Sequence, residues 1–184
     1  MKDVAEIAVK LMAAAARTAP KAGGKDFLEI VVVTADEDLR RIAAAMREYA
    51  PRSTNEAFWQ RDAANIENSQ ALLLIGLEKP VTAGYDCGAC GAATCAEFAK
   101  TRTLVAKEMG YSGPHCVMRM IDIGVALAAA AKAASVLSVD NRVQQRVGAA
   151  ARALGIIPGE VVLGIPVSIT GKNIYFDRQA QAKH

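Results

Sequence analysis

The sequence predicts a layered α+β domain, with helices covering a central sheet. Three observations carry that prediction. The 184-residue chain is 52% hydrophobic, enough for one domain with a sizeable core, or one domain with an insert. Three apolar runs, Phe27 to Val33, Ala71 to Leu77 and Val161 to Ile169, alternate with helical stretches, and none pairs with its neighbour as a hairpin. No internal repeat and no low-complexity linker divides the chain.

From Asp3 to Ala16, Val4, Ile7, Ala8, Leu11, Met12 and Ala15 recur at helical spacing. The connection that follows is Gly-rich and basic, with Arg17, Lys21, Gly23, Gly24 and Lys25. Such a loop offers backbone N–H groups and positive charge to a phosphate, while a solvated helix-to-strand connection is the competing reading. After the first strand, Thr34-x-x-Glu37 is a capping-box pattern. It opens a helix with Leu39, Ile42, Met46 and Tyr49 on one face, broken at Pro51. Ser53-x-x-Glu56 opens the next, to about Glu67, with Trp59 as a core or interface anchor. The second strand ends at Glu78-Lys79-Pro80.

Between that strand and the back half stand all four cysteines. Two residues separate Cys87 from Cys90, four separate Cys90 from Cys95, and twenty separate Cys95 from Cys116. A tight loop giving three thiolates, with a fourth returned from a distance, suits a [4Fe–4S] cluster with one Cys on each iron. Gly88 and Gly91 let the backbone curl closely around such a body. Disulfides are disfavoured, because nothing in the chain suggests export. Structural zinc is the rival, although its usual paired knuckles are missing, and a Cys3His site would use His115 in place of Cys116.

A helix is expected from Ala96 to Met109, and Gly113-Pro114 then turns the chain back toward Cys116. The next helix, Cys116 to Leu137, carries alanine at 128–131 and 133–134, a small surface on which a second subunit can pack closely. Asp122 within it could handle a proton, with a helix cap or a solvated carboxylate as the plainer role. Asp140 is expected to cap a last helix ending at Gly155, before the third strand and a polar tail to His184.

Composition excludes several functions. A net charge of +3, evenly spread, and only 5% aromatic residues give no nucleic-acid surface. The apolar run around Ile121 to Leu137 is broken by Asp122 and Lys132, so no membrane span is expected and the chain reads as cytoplasmic. Hydrolytic and nucleotide-binding signatures are missing, and the histidines are only His115 and His184. Electron transfer is the chemistry left.

The segment Cys-Gly-x-Cys-Gly-x-x-x-Cys-x-x-Phe-Ala, residues 87–99, resembles the small four-cysteine 4Fe–4S domain of electron-transfer flavoprotein-type reductases and corrinoid iron–sulfur proteins. That likeness implies an inserted domain at 68–130 within a single 1–184 unit. Outside the insert, Ala16-Arg-Thr-Ala-Pro20-x-Ala-Gly, Asp122-x-Gly124, Leu154-Gly-Ile-Ile-Pro-Gly159-Glu-Val and Leu163-Gly-Ile-Pro166 resemble the nitroreductase family. As a whole the chain resembles an uncharacterised group described as containing a ferredoxin domain. The resemblance implies a nitroreductase-like sandwich, a homodimer with FMN at the subunit interface, and a redox partner protein or small-molecule substrate. The Arg-rich motif that grips the flavin phosphate in that family is missing, and its Ser and Asn are replaced by Lys21 and Gly24. Arg17, Lys21 and Lys25 would then hold the phosphate, with Lys172 or Arg178 reaching it from the tail. The alternatives are a flavin-free iron–sulfur carrier or redox sensor, and a zinc-stapled dimeric scaffold.

Overall fold

The computed structural model describes residues 1–79 and 81–177. Its element order is α1 (Lys2–Thr18), β1 (Leu28–Val33), α2 (Asp36–Tyr49), α3 (Glu56–Glu67), β2 (Ala71–Leu77), α4 (Cys95–Thr101), α5 (Val117–Val136), β3 (Asp140–Asn141), α6 (Gln145–Ala153) and β4 (Val161–Ser168). One antiparallel sheet runs in the order β1-β2-β4-β3. The antiparallel pairs are joined through helices, which is why no hairpin signal appears in the sequence.

β2 explains the architecture. Successive strand side chains point to opposite faces. Ala71, Leu73, Ile75 and Leu77 pack with α1 and α5, while Leu72 and Leu74 pack with α2, α3 and α6. Every residue of this central strand is buried, so it reads as an unbroken apolar run. The result is the three-layer α+β sandwich that the sequence predicts.

On one face, Ala5, Ala8 and Ala16 of α1 lie buried with Ala126, Ala130 and Ala134 of α5. The small face of the Ala-rich helix is thus covered by α1 of the same chain. On the other face, α6 sits so close to β4 that a Cβ at Gly148 would come within 2.2 Å of the Val162 carbonyl oxygen. Gly164 meets it from the strand, where a Cβ would lie 2.7 Å from a Val147 methyl. Trp59 is a core residue, edge-on to Tyr49 at 4.8 Å between centroids.

Several local expectations change. Val4, Ile7 and Leu11 are not core: they are 40%, 59% and 49% exposed, because α1 has a second apolar face turned outward. Neither expected capping box forms, since α2 starts after Ala35 and α3 after Asn55, without a side-chain cap bond. The expected helix from Ala96 ends at Thr101, where Arg102 leaves the helical region, and Val105 instead bridges to Gly113. Asp140 caps nothing; it starts the two-residue edge strand β3, and its carboxylate accepts from the Asn173 side chain. Arg178 and His184 lie outside the described residues.

Candidate metal centre

Residues 78–116 leave the layers between β2 and α5. Here Gly88 and Gly91 adopt φ values of 72° and 86°, the left-handed region that disfavours other residues. A Cβ at either would meet nothing within 4 Å, so backbone conformation, not room, calls for glycine.

Three side-chain bonds close the N-terminus of α4, whose first residue is Cys95. The Thr94 hydroxyl accepts from the Glu97 N–H at 3.1 Å, and the Glu97 carboxylate accepts from the Ala93 N–H at 2.9 Å. The Asp86 carboxylate accepts from the Cys95 N–H at 2.7 Å. This reciprocal cap satisfies donors that a helix start leaves orphaned. The return to Cys116 is fixed separately. Val105 and Gly113 exchange backbone bonds of 2.7 and 3.1 Å, and the Arg102 side chain donates to the Pro114 carbonyl at 2.5 Å while pairing with Glu160. His115 Nε2 lies 2.8 Å from the Ser112 carbonyl and 3.0 Å from Glu160.

These devices bring all four cysteines to the lining of one hollow, together with Tyr85, Asp86 and Phe98. Cys116 is buried at 3% exposure, Cys90 and Cys95 are half-buried, and Cys87 is exposed. Burial pushes the Cys90 thiol up, as do its neighbours Cys116 and Cys87, against the Val117 N–H that donates to its sulfur at 3.2 Å. Cys116 stands at the N-cap of α5. Burial works to raise its thiol, but N–H groups of Ala83, Arg119 and Met118 outweigh burial and hold it below its ordinary value.

Four thiols this close repel one another once ionised, so the set suits a cationic body between them. Among the described residues, no group of three or more His, Cys, Asp or Glu side chains stands ready-made to hold a metal ion. What the fold does supply is four thiols lining one hollow, a donor set whose chemistry suits iron or zinc.

The basic loop is arranged differently. Arg17 Nη1 donates to Asp26 at 2.8 Å and to the Leu28 carbonyl at 2.9 Å. Lys21 Nζ donates to the Ala16 and Arg17 carbonyls, each at 2.7 Å, and so caps the C-terminus of α1 with a side chain only 4% exposed. Lys25 is exposed, with no side-chain partner among the described residues, and Lys172 is exposed as well. Gly23 and Gly24 take left-handed φ values of 66° and 65°. A Cβ on Gly23 would lie 3.2 Å from the Tyr85 hydroxyl, so this loop touches the cysteine segment.

Asp122 is neither a cap nor solvated. At 4% exposure it pairs with Arg119 at 2.7 Å and accepts from the Ala22 N–H at 2.7 Å. Arg119 also donates to the Ala22 and Lys25 carbonyls, so the pair pins the loop onto α5. Sequence reasoning missed this pin, the Arg102–Glu160 tie and the α4 cap. Only the cap had a local signal, Thr94-x-x-Glu97.

Comparison with known proteins agrees with this architecture. Residues 112–178 match the family described as "uncharacterized protein containing a ferredoxin domain" (DUF2148), a match that includes Cys116 and not the other three cysteines. An uncharacterized protein of Archaeoglobus fulgidus is 44% identical over 173 residues, covering 94% of this chain and 91% of the relative. Among solved structures, a nitroreductase with bound FMN from Desulfitobacterium hafniense superposes with a TM-score of 0.59 at 13% identity, over 97% of this chain and 86% of the other. A BluB-like flavoprotein from Clostridium difficile gives 0.55 at 13% identity, over 97% and 85%. An FMN-dependent nitroreductase from the same species gives 0.54 at 14% identity, over 96% and 80%. The chain belongs to the family of ferredoxin-domain-containing proteins and has the nitroreductase fold.

Proposed function

We propose that the protein is an iron–sulfur redox protein in which Cys87, Cys90, Cys95 and Cys116 hold one [4Fe–4S] cluster. The observation that carries this reading is the gathering of all four thiols around one hollow, although twenty residues separate the last two. The group would supply one-electron transfer there. The chain's own part is to hold and shield it: Cys116 is fixed at the start of α5, Cys95 at the start of α4, and Val117 donates to the Cys90 sulfur. Exposed Cys87 marks the side from which a redox partner protein or small substrate approaches. Free thiols of this kind belong in a reducing compartment, consistent with a cytoplasmic protein.

The inserted unit is proposed within 68–130; of that span β2 lies in the sheet and much of α5 in its covering layer, so 78–116 is the part outside the layers. The outward face of α1, with Val4, Ile7 and Leu11, and Val136 at 75% exposure on α5, is the surface proposed for a homodimer.

Two readings of flavin remain. The FMN named for the structural neighbours favours an FMN-linked oxidoreductase, with the Arg17–Lys25 loop at the phosphate. The engagement of Arg17 and Lys21 within the chain favours a flavin-free carrier, since part of each cation is already committed to Asp26 and to backbone carbonyls. Anaerobic protein incubated with excess FMN and desalted decides between them. Retained flavin absorbance supports the first, and its loss with the cluster absorbance intact supports the second.

A further inference from the structure

Next to Cys116 in the chain, Pro114 and His115 line an open groove with about 770 Å³ of empty space, open solvent included. Val105, Pro114 and Met120 give it apolar walls, and Lys107, Tyr111 and His115 line it as well. The groove is built, not incidental. Arg152 of α6 clamps its rim, donating to the carbonyls of Lys107 and Glu108 and, at 3.2 Å, to the Ser112 hydroxyl. Ser112 in turn donates its N–H to the Glu160 carbonyl at 2.8 Å.

Three polar groups on the groove are uncommitted among the described residues: the buried His115 Nδ1, the part-buried Tyr111 hydroxyl and the ammonium of solvent-exposed Lys107. Among the described residues neither the Tyr111 hydroxyl nor the Lys107 ammonium has a hydrogen-bond or ion-pair partner, although neighbouring Glu108 is paired with Arg52. Burial pushes the Tyr111 phenol up to about 12, so it stays protonated and serves as a donor at neutral pH. An apolar cleft with a few converging polar groups is the usual form of a small-molecule site.

We infer that this groove binds a small apolar or aromatic molecule carrying one anionic group. The anion pairs with Lys107, an acceptor atom takes the Tyr111 hydroxyl, and the apolar body lies against Val105 and Met120. The inference goes beyond the redox reading, because binding here needs no cluster.

The test is a fluorescence titration of full-length, anaerobically purified protein with 8-anilinonaphthalene-1-sulfonate, an aromatic anion that brightens in apolar sites. One saturable site is expected. Lys107→Glu should weaken it about tenfold or more, and Lys107→Met, which keeps the apolar stem, by several-fold. Tyr111→Phe, removing one neutral donor, should weaken it about fivefold. Lys132→Glu, in the separate apolar groove between α1 and α5, should change nothing. No brightening overturns the inference, as does binding indifferent to Lys107 or lost in Lys132→Glu. Iron measured on the same sample separates the two claims: missing iron with intact, Lys107-dependent binding rejects the cluster and keeps the groove.

Discussion

The sandwich and the cysteine segment are held together by different physics. Around the sheet, two clusters of fully buried apolar side chains fill both faces. Across residues 78–116, the only buried apolar side chains among the described residues are Phe98 and Cys116. That stretch relies instead on the α4 cap, the Val105–Gly113 bridge and the ties to Glu160. Such bonds contribute about 1 kcal/mol each, little against the entropy of ordering so long a segment. Segments poor in burial are commonly stapled by a metal centre. The difference teaches that the sandwich should fold without metal, whereas on the proposed reading the segment would depend on the metal centre its thiols hold.

Breaking the sandwich should be the costlier change. Asp122→Ala leaves the Arg119 guanidinium buried and uncompensated and frees the 22–25 loop. We expect a loss of about 3–5 kcal/mol in urea unfolding, metal or no metal. A loss under about 1 kcal/mol would mean that the pin is not structural. Gly148→Ala forces a methyl against the Val162 carbonyl and should cost about 1–3 kcal/mol by the same assay. An unchanged midpoint would show that α6 can shift away from β4.

In the cysteine segment, Thr94→Ala removes a helix cap worth about 1 kcal/mol. Its effect should be local, seen as faster hydrogen exchange at Glu97 and Phe98 with the global midpoint unchanged. A global shift would erase the distinction between the regions. The smallest effect concerns pH. Burial works to raise the Asp26 carboxyl, but the Leu28 N–H, Arg17 and Lys21 outweigh it and hold it below its ordinary 3.8. Its stabilisation is therefore present above that value and lost as pH falls through the lower folded-state value. Asp26→Asn should lose less than about 1 kcal/mol near neutrality, the pair being partly exposed, and should flatten the acid limb below about pH 4. An unchanged acid limb would show that other carboxylates govern it.

How much of this was legible beforehand follows the same divide. β2 was legible because a strand buried on both faces has no polar alternation to hide it. The small residues of α5 were legible as a close-packing surface, but not the identity of the helix that packs there, which is α1. The two-residue strand β3 carries too few residues for any period. The nearness of the cysteines was legible from type and spacing, and the structure places all four on one hollow. The internal ties of the basic loop were not legible: Lys21 turns back onto carbonyls of the preceding helix, and Asp122, which accepts from the Ala22 N–H, lies 100 residues further on. Capping was misread where Thr34 and Ser53 matched a pattern, and overlooked at Thr94, where the bonds form.

The central claim is that four cysteines hold one iron–sulfur cluster. Iron, acid-labile sulfide and zinc should be measured per chain on anaerobically purified protein, beside Cys116→Ser checked for an intact sandwich by circular dichroism. The account predicts about four irons and four sulfides in the native chain, falling well below that in the variant while its helices and sheet persist. About one zinc per chain with no sulfide would contradict it and make the segment a zinc-stapled scaffold.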